Sequence, residues 1–386
     1  MAFMTTEGTA TDFITPDQAV ESVHHKVIPW RSKMPNAAHN RLWIIALALL
    51  LFTTGCSRYA VEMIRDNKLR HQPQLTPNHT PRPQTWRNDE VTWSWLGHAT
   101  VLINLQGSWI ITDPVLFERI GPPEAFDNAF GIRRITKLPL APDRLPAIDT
   151  VLISHAHYDH LDLPSLKFLA SNNLLVVAPT NTTRLLDNVT SSVIELGWQT
   201  GEQRYLKQPD GVEITAFRVE HYGFFPLGKR KAPSGFNGYL IEKNGVRVVF
   251  LGDTSFQRHR NAQGFLLKKP LAIDWSKKLD GQRNDLCIIP IGDSYYRQNH
   301  ISPAEAANIA GAIRCDNILP IHYNTFILTP PNKSVENPQA VLAGILQQAK
   351  EQYRLQCAND NGKSLPLAEI GATCILRRSR QSHSQQ

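Results

Sequence analysis

Ser154-His155-Ala156-His157-Tyr158-Asp159-His160 stands directly behind a short apolar stretch, residues 150–153. That stretch predicts a strand, so the run lies at a strand's C-terminal end, where α/β proteins place their sites. In extended chain, residues two apart point the same way, and His155 and His157 can therefore grip one ion. Asp159 and His160 lie one turn further on and can take a second. Three imidazoles and a carboxylate in so short a run are costly to bury unpaired, and borderline cations such as Zn²⁺ bind this mixture.

Two ions need more ligands than one loop supplies, and the rest of the chain offers them in similar settings. His221 follows the apolar segment 212–219, Asp253 follows 246–251 through Gly252, and His322 follows 318–321. A single histidine or aspartate so placed is ordinarily a structural residue or a helix cap; the repetition of the placement points to metal. Segments 91–96, 100–105 and 109–112 read as a hairpin meander, separated by Gly97-His98 and Gln106-Gly107. Further strands are expected at 174–178, 193–196, 238–242 and 286–291. Short strands that are apolar on both faces imply sheets covered by helices, hence a layered α/β architecture.

Four more residues attract attention. Ser302-Pro303-Ala304-Glu305 is a capping box with proline at the first helical position, placing His300 just ahead of a helix N-terminus. The dipole there disfavours imidazolium, so His300 is the candidate for a neutral donor that assists an oxyanion or the leaving group. Asp113, at the end of 109–112, suits a proton-accepting partner that fixes the tautomer of a ligating imidazole, or else starts a turn with Pro114. His98 in its glycine-flanked turn reads as structural, and Tyr158 as packing within the metal loop. The stretch Tyr222-Gly223-Phe224-Phe225-Pro226-Leu227-Gly228-Lys229-Arg230-Lys231 joins an apolar patch to three positive charges. It suits either an acyl chain and phosphate at the mouth of the site or a solvated hairpin.

The 386 residues carry a net charge of +7 and a hydrophobic share of 42%, enough for a sizeable core. No interleaved basic and aromatic run indicates nucleic acid. Residues 42–52 form an unbroken apolar run behind Arg41, too short for a spanning helix of about 20 residues and of the length of a signal sequence. Thr53-Thr54-Gly55-Cys56 resembles a bacterial lipobox. That resemblance implies a lipid-modified N-terminus at Cys56 and a lipid-anchored protein of the cell envelope facing the periplasm, at the outer membrane rather than the inner. Acidic residues before Met34 do not suit a signal, which places the expected translation start at Met34. The expected organisation is extension and signal over 1–55, a proline-rich spacer over 56–89, a hydrolase domain over 90–376, and a disordered basic tail over 377–386. Export would put Cys287, Cys315, Cys357 and Cys374 in an oxidising compartment, where they can pair in three ways or stay buried and unpaired. Cys287 and Cys315 fall in one strand-helix-strand unit and could lie side by side.

The His155–His160 run, His221, Leu251-Gly252-Asp253-Thr254 and His322 occur in an order that resembles the metallo-β-lactamase superfamily of binuclear metallohydrolases, over about residues 91–325. The resemblance implies a four-layer αβ/βα sandwich with two Zn²⁺ ions per chain at the sheets' edge. His155, His157 and His221 would hold one ion, Asp159, His160 and His322 the other, and Asp253 would bridge them. A hydroxide shared by the ions would be the nucleophile. Leu96-Gly97-His98-Ala99-Thr100, Thr112-Asp113-Pro114 and His322-Tyr323-Asn324-Thr325-Phe326 resemble the branch with ascorbate-6-phosphate lactonase and N-acylphosphatidylethanolamine-hydrolysing phospholipase D. A small-molecule or phospholipid substrate with a phosphodiester bond is thereby expected. A lactone, amide or β-lactam, and a non-catalytic lipoprotein, are the alternatives. Oligomeric state is not legible.

Overall fold

The computed structural model describes residues 74–121, 131–171, 173–187, 189, 192–221, 235–255, 258–260, 266–268, 279–292, 300–328, 340, 357–358, 364–365 and 369–376. The expected start, signal sequence, lipid-anchor site and tail, and the stretch 222–231, lie outside these residues. Among the described residues no helix is long and apolar enough to cross a membrane.

Two mixed sheets carry the fold. The first begins with the meander β1 (Val91–Gly97), β2 (Thr100–Leu105) and β3 (Ser108–Thr112), then continues in parallel through β4 (Thr150–Leu152), β5 (Leu175–Pro179) and β6 (Val193–Leu196). The second runs β7 (Tyr205–Lys207), β8 (Glu213–Phe217), β9 (Gly238–Lys243) and β10 (Val246–Phe250) antiparallel, then adds β11 (Leu286–Pro290) and β12 (Ile318–Ile321) parallel. At the C-terminus β13 (Cys357–Ala358), β14 (Ser364–Leu365) and β15 (Thr373–Ile375) return to the first sheet, where β15 pairs with β1. No strand signal in the sequence marks this return, which covers an edge of β1 that would otherwise be open.

The alternation of side chains assigns each face. Trp93, Val101, Ile103 and Ile110 of the first sheet pack with Ile214, Ile241, Val248 and Ile288 of the second, forming the central core. Leu102, Ile111, Val151 and Val176 turn the other way and meet Leu163 and Leu166 of helix α1 (Leu163–Leu169). Ala306, Ile309 and Ala310 of helix α2 (Pro303–Ala312) join the core of the second sheet. The chain is an αβ/βα sandwich. Burying each large aliphatic side chain contributes about 1.5–3 kcal/mol, so the sheets form a rigid frame for the loops at their ends.

Polar ties join the sheets just below the His155 loop. The Asn237 amide donates to the Ser154 carbonyl at 2.9 Å, and the Tyr239 hydroxyl donates to the Ile153 carbonyl at 2.9 Å. His155 then forms a bridge with Phe236. The described part of the expected spacer is not a free linker: Leu75 exchanges backbone hydrogen bonds with Ile135 and Lys137, and Trp86 stacks on Trp109 at 5.5 Å. Pro81 and Pro83 are buried beside these contacts. Proline-rich composition suits a rigid strap as well as a spacer, which is why the reading from composition differs here.

Candidate metal centre

Every expected ligand sits where a strand of the frame ends. His155, His157, Asp159 and His160 follow β4, His221 follows β8, Asp253 follows β10, and His322 follows β12. Gly252 makes the second sheet's contribution possible. It has a φ of +56°, and a Cβ there would lie 2.3 Å from Ser154 Cβ, so only glycine lets the Asp253 turn press against the His155 loop.

The seven side chains converge. Imidazole nitrogens of His155, His157 and His221 lie within 4.8 Å of one another, and so do ligand atoms of Asp159, His160 and His322 together with His98. Asp253 stands between the two groups: its Oδ2 is 3.2 Å from His322 Nε2, 3.3 Å from His160 Nε2 and 3.8 Å from His221 Nε2. His300, placed by the capping box of Ser302 and Glu305, brings Nδ1 to 3.6 Å from the same oxygen.

Asp113 lies behind the cluster, wholly buried, where it fixes orientations. It accepts from the Ser154 amide at 2.7 Å and the Ser154 hydroxyl at 2.6 Å, and its Oδ2 lies 2.7 Å from His160 Nδ1. The proton on that bond therefore belongs to Nδ1, which leaves Nε2 as the ring atom that faces the cluster. Ser154 Oγ, its own proton committed to Asp113, accepts from His155 Nδ1 at 2.9 Å and leaves Nε2 of that ring for the cluster in the same way.

Burial pushes His155 and His157 below the ordinary imidazole value, and brings His221 to about 3 and His300 to about 4. For His322 burial works against the cation, but Asp253 and Asp159 outweigh it and lift its pKa to about 9. Burial also opposes ionisation of Asp253 and Asp159; the neighbouring His322 and His160 nevertheless hold both carboxylates well below their usual range.

The donor set fits divalent metal. His160 Nε2, Asp253 Oδ1 and both ring nitrogens of His322 are buried with no hydrogen-bond partner among the described residues. Each such orphan costs about 1–3 kcal/mol unless something satisfies it, and a cation among imidazoles and carboxylates does so. Sequence reasoning assigned Ser154 no role and gave His98 only a turn. His98 had the same signal as the expected ligands, a histidine at the end of an apolar strand, masked by its glycine-flanked setting.

The beta-lactamase superfamily domain matches residues 108–323 as a family profile. N-acyl-phosphatidylethanolamine-hydrolyzing phospholipase D 1 of Caenorhabditis elegans is 28% identical over 248 residues, 60% of this chain and 64% of that protein. The mitochondrial N-acyl-phosphatidylethanolamine-hydrolyzing phospholipase D of Saccharomyces cerevisiae is 27% identical over 244 residues, 61% of this chain and 48% of that protein. This chain thus spans less than two thirds of the length of either. A metal-dependent hydrolase of Bacillus cytotoxicus is 26% identical over 257 residues, 63% of this chain and 91% of that protein. Among solved structures, a metallo hydrolase of the archaeon Ignicoccus hospitalis superposes with a TM-score of 0.48 at 18% identity, covering 75% of this chain and 99% of that one.

Proposed function

From the premise that the chain belongs to the β-lactamase superfamily, we propose that it is a binuclear metal-dependent hydrolase that cleaves phosphodiester bonds, with phospholipids as the substrate class. The observation that carries the reading is the position of Asp253 Oδ2, within 3.2–3.8 Å of His322, His160 and His221 and so at the join of two ligand groups. In this reading His155, His157 and His221 would hold one Zn²⁺, Asp159, His160 and His322 would hold the other, and Asp253 lies where the two groups meet. Bound there, the two ions supply Lewis acidity toward a phosphoryl oxygen and make water acidic enough to attack near neutral pH.

The chain's own groups do the rest. Asp113 and Ser154 keep protons on the Nδ1 atoms of His160 and His155, so that each ring presents a lone pair. His300, neutral because burial depresses its pKa to about 4, stands at the edge of the cluster and donates a hydrogen bond to a non-bridging or leaving oxygen. The excess positive charge of +7 favours an anionic substrate, and the two phospholipase D relatives act on a phospholipid by name.

Envelope location belongs to the same reading. Cys287 pairs with Cys315 and Cys357 with Cys374, and such bonds persist in oxidising compartments. A lipid anchor at Cys56 would hold the domain at the periplasmic face of the outer membrane, beside its substrate. The test is a screen of bis-p-nitrophenyl phosphate, phospholipids, lactones and nitrocefin with the His157→Ala variant as control. Phosphodiester turnover that the variant loses is the expected result; turnover of lactone or nitrocefin alone overturns the substrate assignment.

A further inference from the structure

The turn between β1 and β2 is more heavily constrained than a turn requires. Gly97 has a φ of +108° and His98 a φ of +53°. Glycine adopts the left-handed region freely, and asparagine, aspartate and histidine are the other residues most often found there. A histidine stands at this position, 2% exposed. Its amide donates to Thr325 Oγ1 at 2.6 Å, and its carbonyl accepts from Trp95 Nε1 at 2.8 Å and from the His322 amide at 2.9 Å. The buried Arg134 secures the preceding residue, donating to the Leu96 carbonyl at 2.9 Å and filling the space where a Gly97 Cβ would lie.

All this aims one imidazole. The His98 ring packs on His322 with centroids 4.0 Å apart and meets the edge of Phe326 at 5.3 Å. Its Nε2 reaches Asp159 Oδ2 at 2.8 Å, the oxygen that also lies 3.5 Å from His322 Nε2 and 3.6 Å from His160 Nε2. Asp159 is the most exposed carboxylate of the cluster, at 16% against 2% for Asp253. Asp159 Oδ2 thus has His98, His322 and His160 as polar neighbours.

We propose that His98 is a positioning residue of the metal centre: its Nε2–H holds Asp159 Oδ2 in place for the ion that Asp159 shares with His160 and His322. The inference rests on the reading of Asp159 as a ligand. It separates from a purely structural role by a choice of side chain. Asparagine suits the left-handed turn but its amide is too short to reach Asp159; glutamine suits the turn less well but carries an amide N–H to about the position of Nε2.

The test is Co²⁺ titration of the metal-stripped full chain, followed by visible absorption and by competition with a chelator, in wild type, His98→Asn and His98→Gln. Wild type is expected to take up two ions. His98→Asn should bind one as wild type does and the other roughly 10–100-fold more weakly, with His98→Gln close to wild type. In an Asp159→Asn background His98→Asn should weaken binding no further. Asparagine equal to or better than glutamine overturns the proposal, as does full additivity with Asp159→Asn. A wild-type chain that binds no Co²⁺ overturns the metal reading itself, and this inference with it.

Discussion

Asp113 Oδ2 and His160 Nδ1 lie 2.7 Å apart, and neither side chain is exposed to solvent. The same carboxylate takes both polar hydrogens of Ser154, so one buried group sets the orientation of two imidazoles. Asp113→Asn keeps the shape but offers one acceptor oxygen where two are used. It should lower metal affinity and hydrolysis by roughly 10–100-fold while leaving the far-ultraviolet circular dichroism unchanged. Isothermal titration with Zn²⁺ checks this, and unaltered affinity would show that Asp113 serves only its turn.

Gly292 approaches His322 so closely that a Cβ at 292 would lie 1.6 Å from the His322 carbonyl oxygen. Gly292→Ala must displace the backbone that carries His322, a ligand in the proposed reading. The expected cost is about 1–3 kcal/mol, the range for overpacking a buried site, together with weakened metal uptake. A melting curve and a metal assay on the same preparation measure both; a variant with wild-type values in each would contradict the placement of His322.

The two disulfides close loops of 28 and 17 residues. Loop-closure entropy gives about 3 kcal/mol for each, so reduction should lower the melting temperature markedly. Peptide mapping under non-reducing conditions should recover Cys287 with Cys315 and Cys357 with Cys374. Four free thiols, or any other pairing, would remove the support for export into an oxidising compartment.

Glu195 supplies a pH signature away from the site. Burial works against its charge, but the amides of Thr183 at 2.7 Å and Asn181 at 2.9 Å outweigh that and hold its pKa below the free value of 4.5. A depressed carboxyl contributes stability that is present above 4.5 and lost as pH falls through the folded value. Glu195→Gln should therefore be less stable than wild type in urea at neutral pH, with the gap closing as the buffer is taken well below 4.5. A gap independent of pH would mean that the ionised carboxylate contributes nothing.

The metal-type residues are legible in the sequence because coordination chemistry admits few side chains and the fold presents them at strand ends. His155, His157, Asp159, His160, His221, Asp253 and His322 satisfy both conditions, and the Ser302-Glu305 box locates His300 through helix capping alone. What the sequence hides depends on contacts between distant segments. β15 pairs with β1 across nearly the whole domain, and β7 is a largely exposed edge strand with no apolar signature. Gly292 matters only through the backbone of His322. His98 looks like a turn residue until Asp159 is seen beside it, and the prolines before residue 84 look like a spacer until Pro81 and Pro83 are found packed against the domain.

The most direct measurement is the metal content and phosphodiesterase rate of wild type and Asp253→Asn, purified identically without added metal. The place of Asp253 Oδ2 within 3.2–3.8 Å of His322, His160 and His221 predicts, on the proposed reading, two divalent ions per wild-type chain, as in two-metal hydrolases, and loss of both an ion and the activity in the variant. An Asp253→Asn protein that keeps its full metal complement and its rate would contradict the shared centre.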